Sequence, residues 1–130
     1  MTLVLADRGD QKMVENGDKL ALKFNEDGLI PVVVTCADTG TLLMQAYANL
    51  AALQATLDTG QAHYFSRSRQ ALWPKGATSG EIQTIFEIRT DCDQDCLQYI
   101  VHQSGDGCCH VGKPACFYRK INTDGSLTSD

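Results

Sequence analysis

Residues 29–60 read LIPVVVTCADTGTLLMQAYANLAALQATLDTG, and this stretch decides the fold class. Leu29 to Thr35 is a β-branched run with Pro31 near its start, a placement that suits an edge or first strand. Asp38-Thr39-Gly40 is a turn signal, and Leu42 to Tyr47 follows as a second apolar strand, so the spacing predicts a hairpin. Directly after it, Asn49 offers a helix cap, Leu50, Leu53 and Leu57 recur at helical spacing, and Gly60 supplies the stop.

Outward from this segment, strand-like runs dominate. Leu20 to Phe24 alternates, His63 to Ser66 is a short strand, and Leu97 to His102 and Cys116 to Ile121 read as further strands. Ile82 to Ile88 alternates too, with Ile82, Thr84, Phe86 and Ile88 on one face and Gln83, Ile85 and Glu87 on the other. Residues 67–80 lack periodicity and contain Pro74, Gly76 and Gly80, so they read as a long loop of the kind that often carries function. Many strands and one principal helix predict an α+β domain of mainly antiparallel strands over residues 19–121. Residues 1–18 form a polar arm, expected to be a mobile or irregular lead-in, and residues 122–130 a polar tail expected to fray.

The 130 residues suit one domain. Surface scaling gives about 6,800 Å² folded against about 20,600 Å² unfolded, enough burial for a core without covalent staples. The net charge of −5, from 11 basic and 16 acidic residues, argues against general nucleic-acid binding or a basic membrane-surface role. The longest apolar N-terminal run, Leu3 to Ala6, is too short for a signal-peptide core, and nothing approaches the length of a membrane span. The expected compartment is therefore the cytoplasm, where structural disulfides are rare. Six cysteines then need another explanation, and Cys92, Cys96, Cys108, Cys109 and Cys116 fall close together beside His102 and His110.

Three constellations can carry chemistry. The first is D-C-D-Q-D, with Asp91, Asp93 and Asp95 at two-residue spacing. On an extended chain they share a face, where like charges repel unless a hard cation or basic groups neutralise them. A solvated acidic turn is the plainer alternative. An EF-hand fails, because Cys96 stands where the turn glycine belongs and His102 where the bidentate Glu belongs. The second is Cys108-Cys109-His110 with Cys116 downstream, in a glycine-containing loop. The spacing does not fit a structural zinc finger, and the H-x-E and P-C-x-x-C elements of the zinc deaminases are absent. A site with three protein ligands and one open position would be catalytic in type. His110 adjoins it as a candidate proton shuttle. The third is Ser66-Arg67-Ser68-Arg69 with Lys75-Gly76-Ala77-Thr78-Ser79-Gly80. Hydroxyls, guanidinium groups and glycine-exposed amides are the parts of a phosphate cradle, although the order excludes a Walker A loop and an ordinary basic loop is the alternative. Trp73 could stack on a base or anchor the loop.

Taken in order, H-Y-F-S-R-S-R (63–69), L-W-P-K-G-A-T-S-G (72–80), D-C-D-Q-D (91–95), C-H-V-G (109–112) and C-F-Y-R (116–119) resemble the phosphoribosyl-AMP cyclohydrolase family. G-L-I-P and A-D-T-G-T-L-L-M-Q-A-Y also fit, so the resemblance runs from about Gly28 to Arg119. It implies an intertwined homodimer of α+β subunits with zinc sites shared across the interface. It also implies hydrolytic opening of the N1–C6 bond of 1-(5-phosphoribosyl)-AMP by zinc-activated water, the third step of histidine biosynthesis. On this resemblance Cys92, Cys109 and Cys116 are zinc ligands, and Asp91, Asp93 and Asp95 are magnesium ligands. Ser66, Arg67, Ser68, Arg69, Lys75, Thr78 and Ser79 would bind the substrate's phosphates, and His110 would serve as general base. Because the chain ends soon after C-F-Y-R, the pyrophosphatase domain fused to some members is expected to be absent. Pro74 stands where the family usually has His, Cys96 and Cys108 where small apolar residues are usual, and Val111 where Thr is common. Pro74 keeps open a divergent paralogue that opens another purine-like nucleotide ring. A non-catalytic zinc-binding module is the alternative from a different class.

Overall fold

The computed structural model describes residues 2–130; Met1, the first residue of the expected arm, lies outside them. The hairpin and helix predicted for residues 29–60 form the centre of the molecule. Strands β1 (Ile30–Cys36) and β2 (Leu42–Ala48) pair antiparallel, and α2 (Leu50–Thr59) follows at once. The Asn49 side chain accepts from the Ala52 amide at 2.8 Å, and Gly60 closes the helix with φ of 73°. A shorter helix, α1 (Gln11–Asn16), precedes them in the lead-in, capped by Asp10.

The main sheet holds four strands in the order β2-β1-β6-β5, where β5 is Gln83–Thr90 and β6 is Leu97–Gln103. Two of its three pairings are antiparallel, whereas β1 and β6 run parallel. Strand β1 is therefore interior rather than an edge. Its Pro31 precedes the first residue paired with β6, Val32, so the missing amide costs that ladder nothing. Ile30, Val32 and Val34 alternate inward on β1, as do Leu97, Tyr99 and Val101 on β6. Against this face pack Ala52 and Leu53 of α2 and Tyr64 of β3 (His63–Ser66). The Tyr64 hydroxyl donates to the buried Gln83 side chain, which donates in turn to Gln103 at 2.9 Å.

Several elements differ from expectation. Ala71–Pro74, within the expected loop, is a strand (β4) because it pairs with β3, Ser66 facing Ala71 and His63 facing Pro74. A bulge between Ile85 and Glu87 re-aims β5, so Ile85 and Ile88 both pack on the core while Phe86 is 65% exposed. Leu20 to Phe24, expected as a strand, joins no sheet. The polar tail forms a hairpin with the segment before it, β7 (Arg119–Ile121) against β8 (Leu127–Ser129). The lead-in is tied down: the Leu3 amide donates to Gln54 at 2.5 Å, the Ala6 amide to the Leu20 carbonyl at 2.7 Å, and Val14 is buried. Among the described residues, no helix is long and apolar enough to cross a membrane.

Candidate functional site

The acidic constellation occupies the β5–β6 connection. Asp91, Asp93 and Asp95 each offer an oxygen, and these lie within 4.8 Å of one another. A pleated strand would not achieve this, because residues i and i+4 stand about 13 Å apart at ~3.3 Å per residue. The chain turns instead: the Gln94 amide donates to the Asp91 carbonyl at 3.1 Å, and the Asp91 amide to the Cys96 carbonyl at 3.2 Å. One Asp91 oxygen accepts from the amides of Asp95 and Cys96 at 3.0 and 3.1 Å, which locks the turn from inside. Burial works against ionisation of Asp91. Hydrogen bonds from the Asp95 carboxyl and from these amides outweigh it and hold Asp91 below the usual carboxylate range. Asp95 is pushed up to about 6 by hydrogen bonding to the Asp91 and Asp93 carboxylates and by their charge. Three carboxylates that resist full ionisation together are a donor set suited to a hard divalent cation.

The cysteine constellation sits on the loop after β6. Cys108 and Cys109 are buried, and Cys116 is exposed. Their loop closes on itself through the Cys108 amide on the Pro114 carbonyl and the Cys109 amide on the Lys113 carbonyl, both at 3.3 Å. Gly107 is what permits this closure. Its φ is 122°, and a Cβ there would stand 2.4 Å from Pro114 Cα. The Cys116 amide donates to the Leu43 carbonyl at 2.7 Å, anchoring the far end of the loop to β2. Although Cys116 is exposed as a residue, desolvation of its thiol within the loop pushes it up to about 12, and the adjacent Cys108 and Cys109 thiols add to the effect. Cys108 Sγ is directed to the Leu43 carbonyl at 3.2 Å, which makes it a packing group. A thiol held protonated in this way, as at Cys116, becomes a good ligand only opposite a cation, which suits zinc. Cys92 is exposed on the acidic turn and does not join them. Among the described residues, the Asp trio is the only set of three or more His, Cys, Asp or Glu ligand atoms that converges. His110 is exposed on the turn between Cys109 and Gly112.

The basic constellation divides in two. Ser66, Arg67 and Ser68, at the β3–β4 turn, line a groove of about 360 Å³ with Tyr47, Phe65 and Trp73. The Arg67 guanidinium lies over the Tyr47 ring, 4.2 Å from its centre, and the Arg69 amide donates to Ser66 Oγ at 3.3 Å. Arg69, Thr78 and Ser79 are exposed and do not line this groove. Lys75 turns inward: it is 8% exposed, and its Nζ donates to the Cys108 carbonyl at 2.9 Å. It is a strut between the groove hairpin and the thiol loop. Sequence reasoning missed this role and that of Tyr47. A tyrosine at the end of the strand before the helix was visible, but not its stacking partner.

The family model described as phosphoribosyl-AMP cyclohydrolase matches residues 44–118. A Brucella canis protein named phosphoribosyl-AMP cyclohydrolase is 50% identical over 126 residues, 96% of this chain and 91% of that relative. A protein of the same name from Haloquadratum walsbyi is 52% identical over 104 residues, 80% of this chain and 78% of its own. The Aquifex aeolicus histidine biosynthesis bifunctional protein HisIE is 54% identical over 102 residues, 78% of this chain and half of that relative.

Proposed function

Because the chain belongs to the phosphoribosyl-AMP cyclohydrolase family, we propose that it opens the adenine ring of 1-(5-phosphoribosyl)-AMP by hydrolysis in histidine biosynthesis. One observation carries the reading beyond family membership. Trp73 lines the groove, and Lys75, two residues on, is bonded to the Cys108 carbonyl, so the phosphate-suited groove and the thiol loop are mechanically one unit.

In this reading the Ser66 and Ser68 hydroxyls and the Arg67 guanidinium hold a substrate phosphate, with Arg67 kept in place by Tyr47. Cys109 and Cys116 would hold zinc with Cys92 as third ligand. Since one chain does not bring Cys92 to the other two, a second copy would supply it. Two features support pairing. The isolated chain exposes 8171 Å², well above the ~6,800 Å² that surface scaling gives for its mass, and Phe86, Phe117 and Ile121 stand uncovered. The chemistry such a zinc site supplies is Lewis-acid activation of water as nucleophile. His110, beside Cys109, takes the proton that this water loses. Alkylation at N1 makes C6 electrophilic: the water oxygen bonds to C6, the C6–N1 bond breaks, and N1 takes up a proton. C6 becomes the carboxamide carbon of the formimino-carboxamide ribotide. Asp91, Asp93 and Asp95 would hold magnesium and orient the substrate.

The test is a ring-opening absorbance assay on phosphoribosyl-AMP before chelation, after it, and after zinc add-back. Turnover lost and restored with zinc is expected. A zinc-loaded dimer that leaves phosphoribosyl-AMP intact would overturn the reading in favour of the paralogue or the non-catalytic module.

A further inference from the structure

Gln94 stands between Asp93 and Asp95 in the acidic turn and is its most deeply placed residue. It is 6% exposed, with φ of 58°, a left-handed conformation that strains any residue bearing a Cβ. Glycine would remove that strain, so the side chain must repay it. Its Oε1 accepts from the Ala21 amide at 2.8 Å, and its Nε2 donates to the carbonyls of Val14 at 2.9 Å and Lys19 at 3.2 Å. Three of the four hydrogen bonds open to a primary amide are thus made, all to the N-terminal lead-in. The backbone joins in, since the Gln94 carbonyl accepts from the Lys23 amide at 2.8 Å. Arg8 adds a second clamp. One guanidinium nitrogen donates to the Asp93 carbonyl at 2.8 Å, and another to the Ala21 carbonyl.

These contacts lie among the three carboxylates. Asp93 and Asp95 flank Gln94 in sequence, and the turn that sends its amide into the lead-in is the turn that gathers the acidic oxygens. Like charges gathered so closely push the turn open, and before a cation arrives they need a restraint that is not itself a ligand. We propose that Gln94, seconded by Arg8, is the positioning residue of the acidic site, and that residues 8–23 are its scaffold rather than a dispensable arm. This rests on the reading of Asp91, Asp93 and Asp95 as a divalent-cation site.

The test is Gln94→Gly in the full-length, zinc-loaded protein. Glycine accepts the left-handed turn while deleting only the side-chain clamp. Mn²⁺ titration, followed by loss of the free-ion electron paramagnetic resonance signal, should show affinity weakened about 10–100-fold, the usual effect of removing a residue that orients metal ligands. Without added Mn²⁺ or Mg²⁺, amide exchange at Asp95 and Cys96, whose amides close the turn on Asp91, should accelerate. Gln94→Asn, one methylene too short to reach the lead-in, should behave like the glycine variant. Arg8→Met should weaken Mn²⁺ binding by a smaller factor. A wild-type protein with no saturable Mn²⁺ site sensitive to Asp93→Asn overturns the cation reading and this inference with it. A wild-type site that Gln94→Gly leaves within twofold, with exchange unchanged, overturns this inference alone.

Discussion

Replacing Lys75 by methionine separates two roles for the W-P-K-G segment. If Lys75 reached a substrate phosphate, its loss would raise KM and leave the fold intact. The structure instead buries Lys75, 8% exposed, and puts its ammonium on the Cys108 carbonyl at 2.9 Å, with Nζ 5.5 Å from the centre of the Trp73 ring. Methionine keeps the apolar stem but removes a charge-assisted hydrogen bond and leaves a buried carbonyl without its partner. Removing such a bond costs about 2 kcal/mol, near the middle of the range for bonds to charged groups. Unfolding entropy of ~2.1 cal/mol/K per residue amounts to about 0.27 kcal/mol/K for this chain, so Tm should fall by about 7 °C. Because the strut holds the loop that carries Cys109, zinc should also be lost to a competing chelator sooner than in wild type. Differential scanning calorimetry and a chromophoric chelator titration read the two effects. A Tm within 1 °C of wild type, unchanged zinc retention and a raised KM would refute this reasoning and return Lys75 to the phosphate.

Arg67→Ala removes the groove's guanidinium and should raise the KM for phosphoribosyl-AMP at least about tenfold, with a smaller change in kcat, in steady-state assays. Gly107→Ala forces a Cβ to within 2.4 Å of Pro114 Cα at φ of 122°. It should cost about 3 kcal/mol or more and lower zinc content, as read by thermal melts and metal analysis. The acidic turn sets a pH dependence. Asp95, raised to about 6, binds its proton more tightly folded than unfolded, where a carboxyl titrates near ~3.9. The metal-free chain therefore loses stability as pH climbs from about 4 to about 6, and Mg²⁺ should restore it above that window but not below it. Urea titrations at pH 5 and 7.5, with and without Mg²⁺, check this, and equal stabilisation at both pH values would contradict it.

What could be read in the sequence was what is locally determined. The Asn49 cap, the leucine spacing and Gly60 specify α2 without help from the rest of the chain, and the β1–β2 hairpin follows from two apolar runs around a turn. Strand β4 could not be read this way, because Ala71–Pro74 has little pattern of its own and becomes a strand by pairing with β3. Strand β7 lies within the run read as a strand, Cys116 to Ile121, but its partner β8 is short and exposed throughout, so no burial pattern announced the hairpin. The Asp trio stood out by its spacing; of the extended face and the acidic turn that the sequence allowed, the chain forms the turn, and the turn gathers the carboxylates. Lys75 shows a contact that only the tertiary fold reveals. A lysine in a basic, glycine-containing segment reads as a phosphate contact, and its bond to the Cys108 carbonyl, 33 residues on, has no local signature. The lead-in looked mobile because its anchors, Gln54 and Gln94, lie far along the chain.

The proposed zinc site is one that a single chain would hold only in part, because Cys116 lies beside Cys109 and Cys92 does not join them. The direct measurement is ring opening of phosphoribosyl-AMP by Cys92→Ala and Cys109→Ala proteins, each alone and then after unfolding, mixing in equal amounts and refolding with zinc. Each variant alone should be inactive. The mixture should recover about one quarter of wild-type turnover, because half the dimers are hybrids and each hybrid carries one intact site. A mixture as inactive as its components, beside wild type that survives the same treatment, would contradict the shared site.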